Sequence, residues 1–245
     1  RLSAGKVFSG GWVPGLFPPP PPASTGRRPP YAKAADMDHH TPVSDIAFTD
    51  TVKQLQARNG SRDAYAKMEN GMGWHDTITP QLADFISRQN SFYLATINAE
   101  GQPYIQHRGG PRGFLKPLDD RTLGMADFRG NRQFISQGNL LENRKAFIFL
   151  MDHANRRRIK IWGEAWMIEG DDALLRTVMP EGYAASPERV LLFKVSAWDP
   201  NCPQHIPRKI DADEVDTMLA ERDREIAILK AEIDRLRRKS EHARL

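Results

Sequence analysis

The sequence predicts a mainly β domain of the α+β class, a small antiparallel barrel with short flanking helices. Two observations carry this. Six stretches between residues 91 and 197 have strand character, and a single helical segment interrupts them. A doubly wound sheet would instead alternate strands with helices throughout.

Thr79-Pro80 opens the domain as a helix start, with threonine as N-cap and proline in the first turn; Leu82, Phe85 and Ile86 then form an apolar stripe to about Gln89. Residues 91–97 are rich in Phe, Tyr, Thr and Ile, a turn follows at Asn98-Ala99-Glu100-Gly101, and residues 103–108 run extended, which predicts a hairpin. Further strands are expected at 121–127, 146–151, 158–168 and 190–197, with a helix over 131–142. In the long strand Ile159, Ile161, Gly163, Ala165 and Met167 share one face. Arg158, Lys160, Trp162, Glu164 and Trp166 share the other. Two tryptophans there need cover, and a subunit interface is a natural source of it.

Outside this domain, assigned to residues 79–211, the chain changes character. Residues 1–36 hold the run Pro18 to Pro22 and too little apolar surface to repay ordering, so a disordered Pro-rich extension is expected. Residues 37–78 read as a helical or irregular lead-in, weakly helical from 49 to 68 and broken at Asn59-Gly60. Residues 212–245 form an amphipathic helix of coiled-coil type. Leu219, Ile226 and Ile233 recur every seven residues, and Val215, Arg222, Leu229 and Leu236 fall four before or three after them. Such a stripe serves either a second helix or the helix's own barrel.

Composition narrows the function. With 245 residues, 40% of them hydrophobic, the chain supports one sizeable core. The single cysteine, Cys202, excludes an internal disulfide and a Cys-only metal site, and a cytoplasmic location is expected. No apolar run approaches the roughly 18 residues of a membrane span. Of 35 basic and 31 acidic residues, residues 1–36 hold five and one, leaving 30 of each from 37 onward. A neutral body argues against a nucleic-acid partner, which needs an excess of Lys and Arg to neutralise phosphates.

Chemistry concentrates in three clusters. Asp127-Phe128-Arg129-Gly130-Asn131-Arg132-Gln133 lies where a strand hands over to a helix, so orphan N–H groups, the positive helix end and guanidinium forks can converge on one anion such as a phosphate. A solvated basic turn is the alternative. Arg156-Arg157-Arg158 opens the long strand; Arg157 and Arg158 point to opposite faces, so at least one needs a partner at an interface or in a ligand. Gln106-His107-Arg108-Gly109-Gly110 ends the second strand, where glycines permit close approach to a flat ligand. The sequence offers no Ser/His/Asp ordering, no HExxH and no dinucleotide GxGxxG.

In order and spacing, the stretches GQPYIQHRGGPRGFLK, ADFRGNRQFISQGNLLENRKAFIFLM, RRRIKIWGEA and WDPNCPQHIP resemble the pyridoxamine 5′-phosphate oxidase-like family, in particular its bacterial flavin-nucleotide-binding branch. The resemblance covers about residues 74–211. It implies an FMN-binding split β-barrel and a homodimer with two FMN molecules in clefts between the subunits. The family's phosphate position falls on Arg132, with Asp127, Phe128, Arg129, Gly130 and Asn131 around it. Its second-strand contacts fall near His107 and Arg108. The long-strand position that reaches the flavin from the dimer interface falls on Arg158, beside Arg157, where the oxidase usually has glutamine. A cation there would stabilise negative charge on a reduced flavin.

The family's Arg-x-His grip on pyridoxal phosphate is replaced by Gln204-His205-Ile206-Pro207-Arg208, which puts pyridoxamine phosphate oxidation in doubt. Residues 199–203 are expected as a rigid loop over the flavin, with Cys202 either against the ring or inert. The implied activity is an FMN-dependent oxidoreductase using a small-molecule substrate or nicotinamide donor. The alternative is a non-catalytic flavin- or haem-binding carrier or sensor whose coiled-coil tail binds a partner.

Overall fold

The computed structural model describes residues 41–71, 73–201 and 203–242. The extension expected at 1–36 and the side chain of Cys202 lie outside the described residues. Seven strands form one antiparallel sheet: β1 (Ser91–Ile97), β2 (Pro103–Gly109), β3 (Lys116–Pro117), β4 (Thr122–Phe128), β5 (Lys145–Asp152), β6 (Arg157–Ile168) and β7 (Pro187–Asn201). Their order across the sheet is β2-β1-β5-β6-β7-β4-β3. Arg108 on β2 nevertheless bonds Asp127 on β4. The sheet therefore curls until strands from its two ends meet, which makes it a split β-barrel.

Strand alternation fills the interior. On β6, Ile159, Ile161 and Ala165 are buried, together with Leu94 and Ile148 from β1 and β5 and Leu123 and Phe193 from β4 and β7. Tight curvature is absorbed by a register shift between Trp162 and Gly163. A Cβ built on Gly163 would lie 2.0 Å from the Lys194 carbonyl oxygen, so only glycine fits that crossing. Helix α3 (Pro80–Ser87) plugs one end with Leu82, Phe85 and Ile86. Thr79 caps it as expected, its Oγ1 accepting from the Leu82 N–H at 3.3 Å.

Ahead of the barrel, a short 3-10 helix (Val43–Ile46) precedes α1 (Asp50–Arg58) and α2 (Arg62–Glu69). They are separated at Asn59-Gly60, where Gly60 takes φ +75°. The residues after α2 supply part of the cover expected over the β6 tryptophans. Trp74 stacks on Trp162 with centroids 4.6 Å apart, and Phe147 packs edge-on against the same ring at 5.0 Å. The cover for Trp162 thus comes from the chain itself. Lys160 lies within 5.4 Å of both indole rings and pairs with Asp199 at 2.7 Å.

Four expectations shift. The helix expected from 131 is α4 (Ile135–Glu142), because Arg132 and Phe134 take φ of 60° and 57° and hold the preceding turn out of helical geometry. Strand β7 reaches past both ends of 190–197, so residues 199–201 pair with β6 instead of forming a loop. The two-residue β3 and the seven-residue α5 (Asp172–Val178) were not anticipated. The chain ends in α6 (Ala212–His242), 31 residues long. No helix among the described residues is long and apolar enough to cross a membrane.

Candidate functional site

The gap between β2 and β4, closed from above by α4, forms a cleft of about 60 Å³. On β2, alternate residues face it. Tyr104, Gln106 and Arg108 line the cleft, whereas His107 points to the opposite face and meets Tyr93 edge-on at 5.6 Å. His107 therefore does not join the site that Arg108 enters.

At the floor, Asp127 sits between two guanidinium groups. Arg108 Nη1 donates to one carboxylate oxygen, and Arg189 Nε lies 2.9 Å from the other. The Asp127 and Arg189 side chains are only 8% and 9% exposed. Arg189 faces Asp127 because the two are cross-strand neighbours on β7 and β4, next to a bulge at Asp127/Phe128. Its remaining donors engage Gln137 Oε1 and Glu188 Oε2, the latter at 2.6 Å. These ion pairs offset part of the cost of burying the charges, while Nε of Arg108 and of Arg189 has no well-formed hydrogen bond among the described residues.

The roof is the start of α4. No side chain caps its N-terminus, and the first-turn residues Ile135, Ser136 and Gln137 line the cleft. Ser136 Oγ donates to Gln106 Oε1 at 2.8 Å, fixing α4 to β2. Arg132 stands at the mouth with no ion pair among the described residues, its guanidinium carbon 5.7 Å from the Phe134 ring centroid. Arg189 lies 5.3 Å from that ring as well. The lining holds Arg108, Arg132 and Arg189 against Asp127 and Glu188, a small positive excess, with Glu169 just outside it 3.6 Å from Arg189. An uncapped helix start, an unpaired arginine and this excess together favour an anion.

Of the residues singled out in sequence, Arg108, Asp127, Phe128, Gly130, Asn131 and Arg132 line this cleft. Arg129 does not, and approaches Glu188 only to 3.9 Å. Arg157 and Arg158 lie at the far end of β6 from Met167, the one β6 residue in the cleft. Nine residues of strand at about 3.3 Å each put them about 30 Å away. Arg157 lies over the Phe85 ring at 5.2 Å, and Arg158 keeps a buried Nε that has no hydrogen-bond partner among the described residues. Within one chain the two arginine clusters are separate.

Arg189, Glu188, Gln137 and Ser136 escaped the sequence reading. The signal for Arg189 was present: a charged pair runs directly into Val190-Leu191-Leu192, so extending that strand by one step would have set it opposite Asp127.

Among solved structures, HupZ of Group A Streptococcus is 23% identical over 54% of this chain and 99% of its own, with a TM-score of 0.42. An FMN-binding protein from Syntrophomonas wolfei subsp. wolfei is 17% identical over 64% of this chain and 98% of its own, with a TM-score of 0.39. The heme storage protein HutZ from Vibrio cholerae is 15% identical over 48% and 88%, with a TM-score of 0.32. No curated protein matches the chain. The family model for pyridoxamine 5′-phosphate oxidase matches residues 78–202, which is half of the chain and includes every strand and the whole cleft, and the protein belongs to that family.

Proposed function

We propose that the protein is an FMN-binding flavoprotein acting as an oxidoreductase, with the cofactor's phosphate held in the cleft between β2, β4 and α4. The observation that carries this is Arg132, an arginine without an ion pair among the described residues, beside an uncapped helix start. The space suits a phosphate and little more, since pockets that enclose a whole ligand run to about 300–1,000 Å³. The flavin ring would therefore extend beyond the cleft. A second subunit completing that surface accords with the homodimer implied by the resemblance, and Arg158, whose Nε has no hydrogen-bond partner among the described residues, is available for it.

When bound, FMN supplies hydride or electron transfer between a donor and a small-molecule substrate. The chain's own residues bind and orient. Arg132 and the first N–H groups of α4 neutralise the phosphate. Arg108 and Arg189, held by Asp127, shape the floor without being drawn onto the anion.

Arg132→Ala should weaken FMN by roughly 1.5–3 kcal/mol and riboflavin little, because the lost bond is to the phosphate. Equal weakening of both ligands, measured by fluorescence titration, would sink the assignment. Loss of the flavin's visible absorption on adding NAD(P)H tests the catalytic half. A non-catalytic flavin carrier or sensor is the rival, favoured by the locking of Asp127 and Arg189 into mutual ion pairs that leave neither free to move protons. FMN that binds but is not reduced by a nicotinamide donor decides for the carrier.

A further inference from the structure

Helix α6 leaves the barrel with its apolar stripe bare. Leu219, Ile226, Leu229, Ile233 and Leu236 are each between 44% and 55% exposed. Among the described residues, the side-chain hydrogen bonds from the barrel hold the helix at its foot, where Arg112 bonds Asp211 and Glu214 at 3.2 and 2.6 Å and Asn90 bonds Asp211 at 3.0 Å. Its own barrel therefore does not cover the stripe, which removes one of the two uses the sequence allowed. At about 1.5 Å per residue, 31 residues project roughly 46 Å. A stripe that long and that bare calls for a second helix.

We propose that α6 pairs in parallel, in register, with α6 of a second copy, and that Arg222 is the polar layer that fixes the register of the pair. The charges flanking the stripe select this occupant. With Leu219, Ile226 and Ile233 at the a positions, the flanking g and e positions place Glu225 opposite a second copy's Lys230 and Glu232 opposite its Arg237. Both contacts are attractive when the helices run parallel. In an antiparallel pair Asp223 would face Lys230 but Glu225 would face Glu232, whereas the parallel pair sets no like charges opposite each other at these g and e positions. Glu232 holds Arg235 within its own helix at 2.5 Å while staying half exposed, so it can serve the seam too.

Arg222 occupies a d position, where leucine would pack best. In the parallel register Asp223 of each helix, at an e position, lies beside the other helix's Arg222 and answers its charge. A single polar layer of this kind lowers affinity but excludes alternative registers, while Ile at a and Leu at d already favour two strands. Parallel pairing also sets both barrels at the same end of the tail, where their surfaces can meet. An antiparallel pair would hold them apart by about the helix length of roughly 46 Å. The proposal stands whether or not the cleft binds FMN.

Cysteines at the two ends of the stripe give the test, in the full-length chain carrying Cys202→Ser. Under mild oxidation, Leu219→Cys alone and Leu236→Cys alone should each form a covalent dimer on a denaturing gel. Arg224→Cys, on the outer face, should not. Crosslinking only when Leu219→Cys and Leu236→Cys chains are mixed would mean antiparallel pairing and overturn the proposal, as would no crosslink at either site. Arg222→Leu should tighten the dimer in sedimentation and let Leu219→Cys crosslink to Ile226→Cys in a slipped register; a dimer of unchanged affinity with no such crosslink would overturn the role given to Arg222.

Discussion

Asp127 is the residue on which the cleft turns, because it is the shared counter-ion of two arginines that are themselves largely buried. Asp127→Asn keeps the volume and removes the charge, leaving two guanidinium groups facing each other. The variant should lose about 3 kcal/mol in urea unfolding, as expected when one partner of a buried pair is removed. Inorganic phosphate should restore more of its melting temperature than it adds to the wild type, since an anion can replace the missing carboxylate. Asp119 gives a pH signature. A backbone hydrogen bond from Arg121 and a side-chain bond from Thr122 hold its carboxyl below the ordinary value. A depressed pKa contributes stability above the unfolded value that is lost as pH falls through the folded one. Asp119→Asn should thus destabilise slightly at neutral pH and not at all in acid, the exposed site keeping the effect small.

At this scale the sequence singled out Arg108, Asp127 and Arg132, which line one cleft, but it did not show which strand residues face that cleft. Alternation separates His107 from Arg108 as surely as it separates Arg157 from Arg158. Which of each pair faces inward depends on hairpin register, and that is set by the barrel.

Among the elements, the strands that build the barrel were readable to within a residue or two at β1, β2 and β6, because aromatic and β-branched runs end in clear turns. Elements β3 and α5 are too short to show a period. The start of α4 was placed four residues early because positive φ at Arg132 and Phe134 follows from how the turn packs and not from residue type. Gly163→Ala tests the β6 crossing. With the Lys194 oxygen at 2.0 Å and Phe193 Cε1 at 2.6 Å from the added carbon, backbone must move, and a loss of about 3 kcal/mol or more is expected in chemical unfolding. Trp74→Ala should lose about 2 kcal/mol and expose Trp162, seen as a red shift of tryptophan emission.

For the whole molecule, barrel and tail make separable claims. No residue of α6 lines the cleft, so a chain ending at Asp211 should bind inorganic phosphate as the full chain does while associating more weakly. Calorimetry and light scattering read the two properties independently. Strand order also sets a sequence of events in time. The β1–β2 and β5–β6 hairpins close over short turns, but β4 must wait for β7, pairing Thr122 with Lys194 and Phe128 with Pro187. Pairings so distant along the chain form late. Arg108 and Arg189 can close on Asp127 only after that docking, so the cleft is the last part of the barrel to mature during refolding. An anion added at the start should leave the early phases of a refolding trace untouched and change only its final one.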